Sequence, residues 1–531
     1  VSENRPEWLI ADIAVMSLGA ITVPAYTTST ESDFEYILSH SEAVGIIVSN
    51  AGLAAKLLPA AEKAPNCRWA VTLEVSQRES SSQLSLHRWD EVRDQDLNEA
   101  EMAALVEDAK ERPRDGTACF IYTSGTGGSP KGVMLSHGAM LCNCMGAYEL
   151  LRSFNIGEEV FLSFLPLSHA YEHTVGQFFP ISIAGQIYYA EGIDQLLKNL
   201  GEARPTIMTA VPRLYESMHQ RILRGVEREG GLKARLFHKT VELGLKRLDG
   251  NESLGPQDLL LDALLDRMVR NKVRKRFGGR LKAMISGGAA LNPDIGRFFT
   301  ALGLRILQGY GQTEAGPVVS ANPPQRIKMD TVGPPLAGVE VTIAKDGEIL
   351  VRGELLMSGY WRDEEATAET LKDGWLHTGD IGEIDEDGYL KITDRKKDIV
   401  VLSGGDNLAP SRVESFLTLQ PEIAQAMVYG DKRPHLVALL VPEPDFLLHW
   451  AKQNGKGEAH DQLMKDPDLA KALAPALDRV NRQLSNLEKV RRIAVADEAF
   501  STDNGLMTPT MKIRRHKIKE RYGERLESLY R

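Results

Sequence analysis

Between Ile121 and Gly132 the chain reads Ile-Tyr-Thr-Ser-Gly-Thr-Gly-Gly-Ser-Pro-Lys-Gly, and no other stretch restricts the fold as strongly. A short apolar run, Ala118 to Ile121, predicts a buried strand leading into it. From Thr123 to Ser129 there are seven residues without an apolar side chain, four with hydroxyls and three of them glycine, followed by Pro130 and Lys131. Such a segment has nothing to pack and belongs on a surface loop. Gly125, Gly127 and Gly128 let backbone N–H groups converge on one point, the hydroxyls of Thr123, Ser124 and Thr126 add donors, and Lys131 adds positive charge. A loop of that composition suits a polyphosphate. Two familiar phosphate loops are excluded. Counted from Gly125, the position where the Walker A pattern needs its second glycine holds Pro130, and the dinucleotide-fold spacing fails at the same residue. A flexible Gly/Ser turn would explain three such residues, but not a dozen that combine glycine, hydroxyls and lysine.

The surroundings of the loop place it in an α/β fold. Residues from Pro6 have helical apolar spacing up to Gly19, Ile21 to Pro24 read as a strand, Glu31 to Ala43 as a helix, and Val44 to Val48 as a strand. That alternation implies a parallel sheet covered on both faces. Ser76 to Arg114 is polar and reads as a peripheral connection with one helix, and Gly138 to Leu151 as the helix after the loop. A chain of 531 residues exceeds what one core usually supports, so at least two domains are expected. The pattern changes to short alternating strands with Asp-Gly turns after Gly333, predicting a small antiparallel barrel or sheet, and to a compact α/β segment after Ile399. The best boundary lies near Asp394, giving a large body over 1–394, with a helical insert at about 213–280, and a smaller mobile α+β domain over 395–531.

Composition narrows the partners. A net charge of -10 argues against general nucleic-acid binding. The four cysteines, Cys67, Cys119, Cys142 and Cys144, have neither a CxxC spacing nor histidines at zinc spacing, so free thiols in a reducing cytoplasm are expected. No apolar run approaches the roughly eighteen residues of a membrane helix. The chain starts at Val1 without an initiator Met and directly before a helical pattern, as expected if an upstream segment precedes it. Within the insert, Arg267, Arg270, Lys272, Arg274, Lys275, Arg276 and Arg280 form a basic run with Leu265, Met268, Val269 and Val273 between them. A solvated helix face is the plainer reading; a peripheral contact with the inner face of an anionic membrane, or with a phosphorylated substrate, is the sharper one.

Further along, several short motifs carry chemistry. His169 to His173 spells HxxEH, a zinc-peptidase pattern, but His169 follows a strand and Pro166, a setting that suits a loop facing a pocket, with Tyr171 beside it. Ser286-Gly-Gly-Ala-Ala-Leu291 is a small-residue turn that lets a flat ring approach the backbone. Gln308-Gly-Tyr-Gly-Gln-Thr-Glu314 is the turn after the next strand, and both lie at carboxyl ends of strands, where open α/β sheets keep their ligands. Tyr310 offers an aromatic face to a base, and Glu314 a hard oxygen to a divalent cation. In Gly374-Trp-Leu-His-Thr-Gly-Asp380 and Thr393-Asp-Arg395, an aspartate can accept both hydroxyls of a ribose and an arginine can add a charged donor.

Taken together and in this order, YTSGTGGSPKG, GYGQTE, GWLHTGD, DRKKDIVVLSGG and PTMKIRR resemble the adenylate-forming superfamily of acyl-CoA synthetases, peptide-synthetase adenylation domains and firefly luciferase. The insert and LPLSHAYE look most like its long-chain fatty acyl-CoA synthetase branch. The resemblance implies that MgATP and a fatty acid give acyl-AMP and pyrophosphate, after which CoA takes the acyl group. It assigns Thr123, Ser124, Gly125, Thr126 and Lys131 to the phosphates, Glu314 to Mg2+, Gly288, Ala289, Gly309, Tyr310, Gly311 and Thr313 to the nucleotide, and Asp380 and Arg395 to the ribose. His169 and Tyr171 would line the acyl pocket. Lys512 would bridge carboxylate and phosphate ester as the central catalytic group, Lys397 would be a hinge for the small domain, and Ser403, Gly404 and Gly405 would line the CoA channel. The chain departs from the family at Gly127, where a second threonine is usual. An acyl-AMP ligase serving a carrier protein and a non-catalytic adenylate-binding protein are the alternatives. The first lacks room for its usual insertion between Gly333 and Asp380, and intact Lys512 and Glu314 oppose the second.

Overall fold

A computed structural model describes all residues except 75–79, 96, 124–128, 250–253, 458 and 509–511. The chain divides into two compact units. The larger holds the described residues of 1–378 together with Glu383–Lys391; the smaller holds Gly379–Gly382 and Ile392–Arg531.

Three sheets lie wholly in the larger unit, and a fourth has strands with residues from both units. The N-terminal sheet is parallel, with strands Gly45–Val48, Trp69–Thr72 and Ser85–Arg88. The Glu31–His40 and Ala51–Lys63 helices that accompany it start at side-chain caps, Thr30 in a reciprocal pair with Asp33 and Asn50 accepting from Leu53 N–H. The second sheet has six strands in the order Ser320–Ala321, Ile306–Tyr310, Ala283–Ser286, Ile207–Ala210, Val160–Ser163 and Gln186–Tyr189, parallel except at the Ser320–Ala321 edge. Every residue of its Ala283–Ser286 and Ile207–Ala210 strands is buried, as a parallel sheet covered on both faces requires. The third is an antiparallel set in which Lys131–Ser136 lies between Thr117–Thr123 and Gly359–Tyr360. The fourth has Glu340–Ile343, Glu348–Arg352, Trp375–Ile384 and Leu371–Lys372 in order, with Leu390–Arg395 also on Trp375–Ile384. In the smaller unit a two-stranded hairpin, Val400–Val401 with Asn407–Leu408, accompanies a three-stranded sheet of Ile423–Tyr429, Leu436–Pro442 and Val490–Val495.

Several sequence expectations change. Ile21 to Pro24 contributes only the isolated bridge Thr22 to Cys119 rather than a strand. The polar connection before the loop carries a strand and two helices, Trp89–Arg93 and Glu99–Lys110, instead of one helix. Gly309 and Tyr310 end a strand instead of forming a turn, because the Ser320–Ala321 edge strand pairs with both. Trp375 to Asp380 of the next motif are likewise drawn into a ten-residue strand, Trp375–Ile384.

The helical insert consists of Pro212–Glu229, Gly231–Asp249 and Pro256–Leu265, continuing through wider turns to Asn271–Arg276. Its basic run is not uniformly solvated. Arg270 is only 3% exposed, donates to Asp262 Oδ1 at 2.6 Å and to the Ala301 carbonyl at 2.6 Å, and so ties the insert to the sheet-covering helix Pro293–Ala301. Arg274 donates through both terminal nitrogens to Asp266, at 3.0 and 2.8 Å. These two cations are structural. Among the described residues no helix is long and apolar enough to cross a membrane.

Candidate functional site

The strands Thr117–Thr123 and Lys131–Ser136 pair antiparallel with Thr123 opposite Lys131, so they flank the Gly-rich stretch on either side. Ser124, Gly125 and Thr126 lie outside the described residues. The exit of the stretch is anchored by Tyr36, whose hydroxyl donates to the Pro130 carbonyl at 2.9 Å. Behind it, His40 Nδ1 and the Tyr122 hydroxyl are 2.8 Å apart, and Trp361 Nε1 donates to the His40 carbonyl at 2.9 Å. The ammonium of Lys131 lies 3.1 Å from Asp363 Oδ2 and 4.9 Å from the centre of the Tyr360 ring.

The same tyrosine reaches the expected cation ligand. Its hydroxyl donates to Glu314 Oε1 at 2.9 Å. Burial, and then the Glu314 carboxylate, push the Tyr360 phenol well above its usual range, so it stays protonated and keeps donating. Glu314 is half-buried in the short helical turn Thr313–Ala315, and Met357 N–H binds its backbone carbonyl at 3.0 Å. Tyr360 and Asp363 were not apparent from the sequence. Only the pairing of Gly359–Tyr360 with the Lys131–Ser136 strand brings them there.

Four of the glycine and alanine positions expected at the nucleotide fall into two pairs. Gly288, at φ +83°, and Ala289 are exposed beyond the end of the Ala283–Ser286 strand. Gly309 and Gly311 serve the chain's own packing. A Cβ at Gly309 would lie 3.0 Å from the Ser320 carbonyl oxygen, and one at Gly311 would collide with the Pro317 carbonyl. The flat ring that approaches the Ser286–Leu291 turn is also the protein's own. A Cβ at Gly287 would sit 2.9 Å from the ring of Tyr171, whose hydroxyl donates to the Ile285 carbonyl at 2.9 Å. Tyr171 is therefore core, whereas His169 is half-buried in the loop before it, its Nδ1 accepting from Tyr171 N–H at 3.2 Å.

The rest of the HxxEH segment is structural. Glu172 opens a stretch of wide π-type turns, Glu172–Phe178, and its buried carboxylate accepts from Thr209 at 2.7 Å and from Gln177 at 3.3 Å. His173 Nε2 is 3.0 Å from Asp12 Oδ2, both side chains being buried. Among the described residues no group of three His, Cys, Asp or Glu side chains could hold a metal ion. Burial pushes the Glu172 carboxyl up to about 7. The folded state then holds a proton that the unfolded chain, titrating near 4.5, has lost, so this group's contribution to stability falls as pH rises from about 4.5 to 7 and stays low above that. Glu172→Gln is expected to melt like the parent at pH 4 and higher than it at pH 8, where the penalty removed is roughly 3 kcal/mol. Thermal melts at the two pH values check this, and a variant less stable at pH 8 refutes it.

In the smaller unit Arg395 Nε donates to Asp380 Oδ1 at 2.9 Å, with Asp380 buried and Arg395 open to solvent. The two ribose candidates thus form one charged pair. Lys397 follows in an exposed turn, where Asp398 and Ile399 N–H both donate to the Arg395 carbonyl, at 2.9 and 3.1 Å. Beside that turn, burial pushes Asp394 up to about 6, while Arg515 pairs with Glu414 at 2.5 Å. Ser403, Gly404 and Gly405 form the exposed turn of the Val400–Leu408 hairpin, with Gly405 at φ +91°. Lys512 is exposed, its N–H donating to Thr508 Oγ1 at 3.1 Å, and Met507 and Ile513 bridge beside it.

Comparison with known proteins fits this arrangement. The AMP-binding enzyme family matches residues 1–361, and the AMP-binding enzyme C-terminal domain matches residues 397–531. A long-chain-fatty-acid–CoA ligase of Mycobacterium tuberculosis, FadD15, is 35% identical over 534 residues, covering 100% of this chain and 87% of its own length. The peroxisomal long chain acyl-CoA synthetase 6 of Arabidopsis thaliana is 33% identical, covering 99% of this chain and 77% of its own. Among solved structures, the A domain of carboxylic acid reductase from Segniliparus rugosus, in complex with AMP and a carboxylic acid, shares the fold with a TM-score of 0.72 at 22% identity, covering 100% of this chain and 81% of that one. A Lys and a Glu side chain gathered on one tyrosine beside the strands that flank the Gly-rich stretch, the Asp380–Arg395 pair and these whole-length matches lead to one conclusion: the chain belongs to the AMP-binding, adenylate-forming enzyme family, in its long-chain fatty acyl-CoA synthetase branch.

Proposed function

We propose that this protein is an AMP-forming long-chain fatty acid–CoA ligase. In the first half-reaction a fatty-acid carboxylate oxygen attacks the α-phosphorus of ATP, a new P–O bond forms, and the bond to the β-phosphate breaks with its electron pair leaving on pyrophosphate. In the second, the CoA sulfur attacks the acyl carbon of the mixed anhydride, AMP departs, and the thiol proton is lost. Carboxylates are poor acyl donors because oxide is a poor leaving group, and AMP is a good one.

The observation that carries the reading is the placement of Lys131 and Glu314 on opposite parts of Tyr360, beside the strands that flank the Gly-rich stretch. Lys131 supplies positive charge for the β- and γ-phosphates, and Thr123 is adjacent at the loop's entry. Glu314 fits a magnesium ion: one carboxylate oxygen is fixed by Tyr360, and a single carboxylate suits a cation that keeps waters and substrate phosphates as its other ligands. Bound there, magnesium would neutralise charge on the phosphate oxygens. In this reading Tyr310 and Thr313 would meet the base and sugar, Asp380 with Arg395 the ribose hydroxyls, and Lys512 the charge that accumulates between carboxylate and α-phosphate. Incubation with ATP, Mg2+, CoA and fatty acids of graded length is expected to release AMP and pyrophosphate in step with CoA consumption, with long chains preferred. Pyrophosphate release that is indifferent to CoA would overturn the ligase reading.

A further inference from the structure

Most residues that bind phosphate or metal in this unit sit on separate elements, and the segment from Met357 to Asp363 is what joins them. Met357 N–H holds the Glu314 carbonyl at 3.0 Å, Ser358 N–H the Met134 carbonyl at 2.9 Å, and Trp361 N–H the Gly132 carbonyl at 2.8 Å. Gly359 and Tyr360 pair with Met134 and Val133. Gly359 is at φ +146°, and a Cβ there would press on Thr367 at 2.8 Å. Thr367 in turn accepts from Tyr360 N–H at 2.9 Å and donates to the Asp363 carbonyl at 2.7 Å. Asp363 caps the Glu364–Thr370 helix through Oδ1, which accepts from Ala366 N–H at 3.0 Å, while its Oδ2 faces Lys131. The Tyr360 side chain projects from this stitched backbone with its ring beside one reactive charge and its hydroxyl on the other.

We propose that Tyr360 is a positioning residue that sets the spacing between the phosphate-binding lysine and the cation-binding glutamate, and that Asp363 holds the Lys131 ammonium until a nucleotide phosphate displaces it. This rests on the ligase reading of Lys131 and Glu314 given above. A hydroxyl donating to one carboxylate oxygen leaves the other free for a cation and fixes the rotamer, and a ring about 5 Å from the ammonium attracts it without occupying its donors. The Asp363 carboxylate imitates the charge of a phosphate oxygen, so exchange of one for the other costs little electrostatic energy.

Tyr360→Phe keeps the ring and every backbone bond and removes only the hydroxyl. The Mg2+ concentration that half-saturates pyrophosphate exchange is expected to rise about tenfold or more, the range of a hydrogen bond to a charged group. Transfer of the acyl group to CoA from supplied acyl-adenylate, which needs no ATP, is expected to stay unchanged. A second readout does not depend on turnover: the extra rise in melting temperature that ATP gives with Mg2+ over ATP with EDTA should shrink. In Glu314→Gln the metal dependence is already impaired, and adding Tyr360→Phe should change it no further. Asp363→Asn, which can still cap the helix, should lower the KM for ATP.

Unchanged Mg2+ dependence in Tyr360→Phe, or full additivity with Glu314→Gln, overturns the positioning role. A KM for ATP that is unchanged or raised in Asp363→Asn overturns the exchange. If Glu314→Gln and Lys131→Ala also leave Mg2+ and ATP dependence untouched, the site reading itself fails, whereas an effect in those two with none in Tyr360→Phe refutes only the proposal about Tyr360.

Discussion

Replacing Lys512 by alanine is expected to lower exchange of labelled pyrophosphate into ATP by about 100- to 1000-fold, the usual consequence of removing one preorganised donor from a developing oxyanion. The attacking carboxylate and the α-phosphate both carry negative charge, and they must approach within bonding distance. A fixed ammonium between them removes that repulsion at the moment of reaction and does less for the separated reactants, so the loss should appear in kcat more than in KM. Lys512 is exposed, and backbone bonds hold it and its neighbour, Thr508 N–H to the Lys512 carbonyl at 2.8 Å and Arg514 N–H to the Leu506 carbonyl at 2.8 Å. Truncating the side chain should leave these intact and the melting temperature nearly unchanged. Acyl transfer from supplied acyl-adenylate to CoA should persist, because that step breaks a C–O bond and forms none to phosphorus. Undiminished exchange in the variant would remove Lys512 from the mechanism.

The second large effect is expected at Lys397. Proline fixes φ near -65° and so removes the torsion about which the small domain would turn between the two half-reactions. Lys397→Pro should form acyl-adenylate at close to the parent rate and transfer it to CoA roughly 100-fold more slowly, the scale of a reacting group held about an ångström out of place. Measured separately, pyrophosphate release in a first turnover would be retained and CoA consumption lost. Equal loss of both would point to damage of the turn itself, whose Asp398 and Ile399 N–H groups bind the Arg395 carbonyl. Parent-like CoA consumption would exclude a hinge at this residue.

What could be read from sequence was whatever depends on local pattern. The apolar spacing of Pro6–Ser17, the run of Leu436–Pro442 and the glycine content of the loop each carry their own signal. Strands that exist because of a distant partner do not. Tyr310 reads as a turn residue beside two glycines, yet it is a strand residue because Ser320, ten positions on, pairs with it and Val319 N–H donates to its carbonyl. His377 and Asp380 stand in a glycine-flanked motif, and the Trp375–Ile384 strand, paired with distant neighbours, runs through both. Lys131, Glu314, Asp380 and Arg395 could be picked out as candidates because charge and glycine stand out in a polar stretch. Tyr360 and Asp363 were not, since an aromatic and an acid after Ser358 are unremarkable until the Gly359–Tyr360 strand is laid against Val133 and Met134.

The close seat of Tyr171 against Gly287 has an evolutionary corollary. Positions 171 and 287 belong to segments more than a hundred residues apart, yet one ring occupies the volume that any side chain at the other would claim. Bulk added at 287 therefore fits only where the ring at 171 gives way or is made smaller, so a change at one position sets the steric terms for the other.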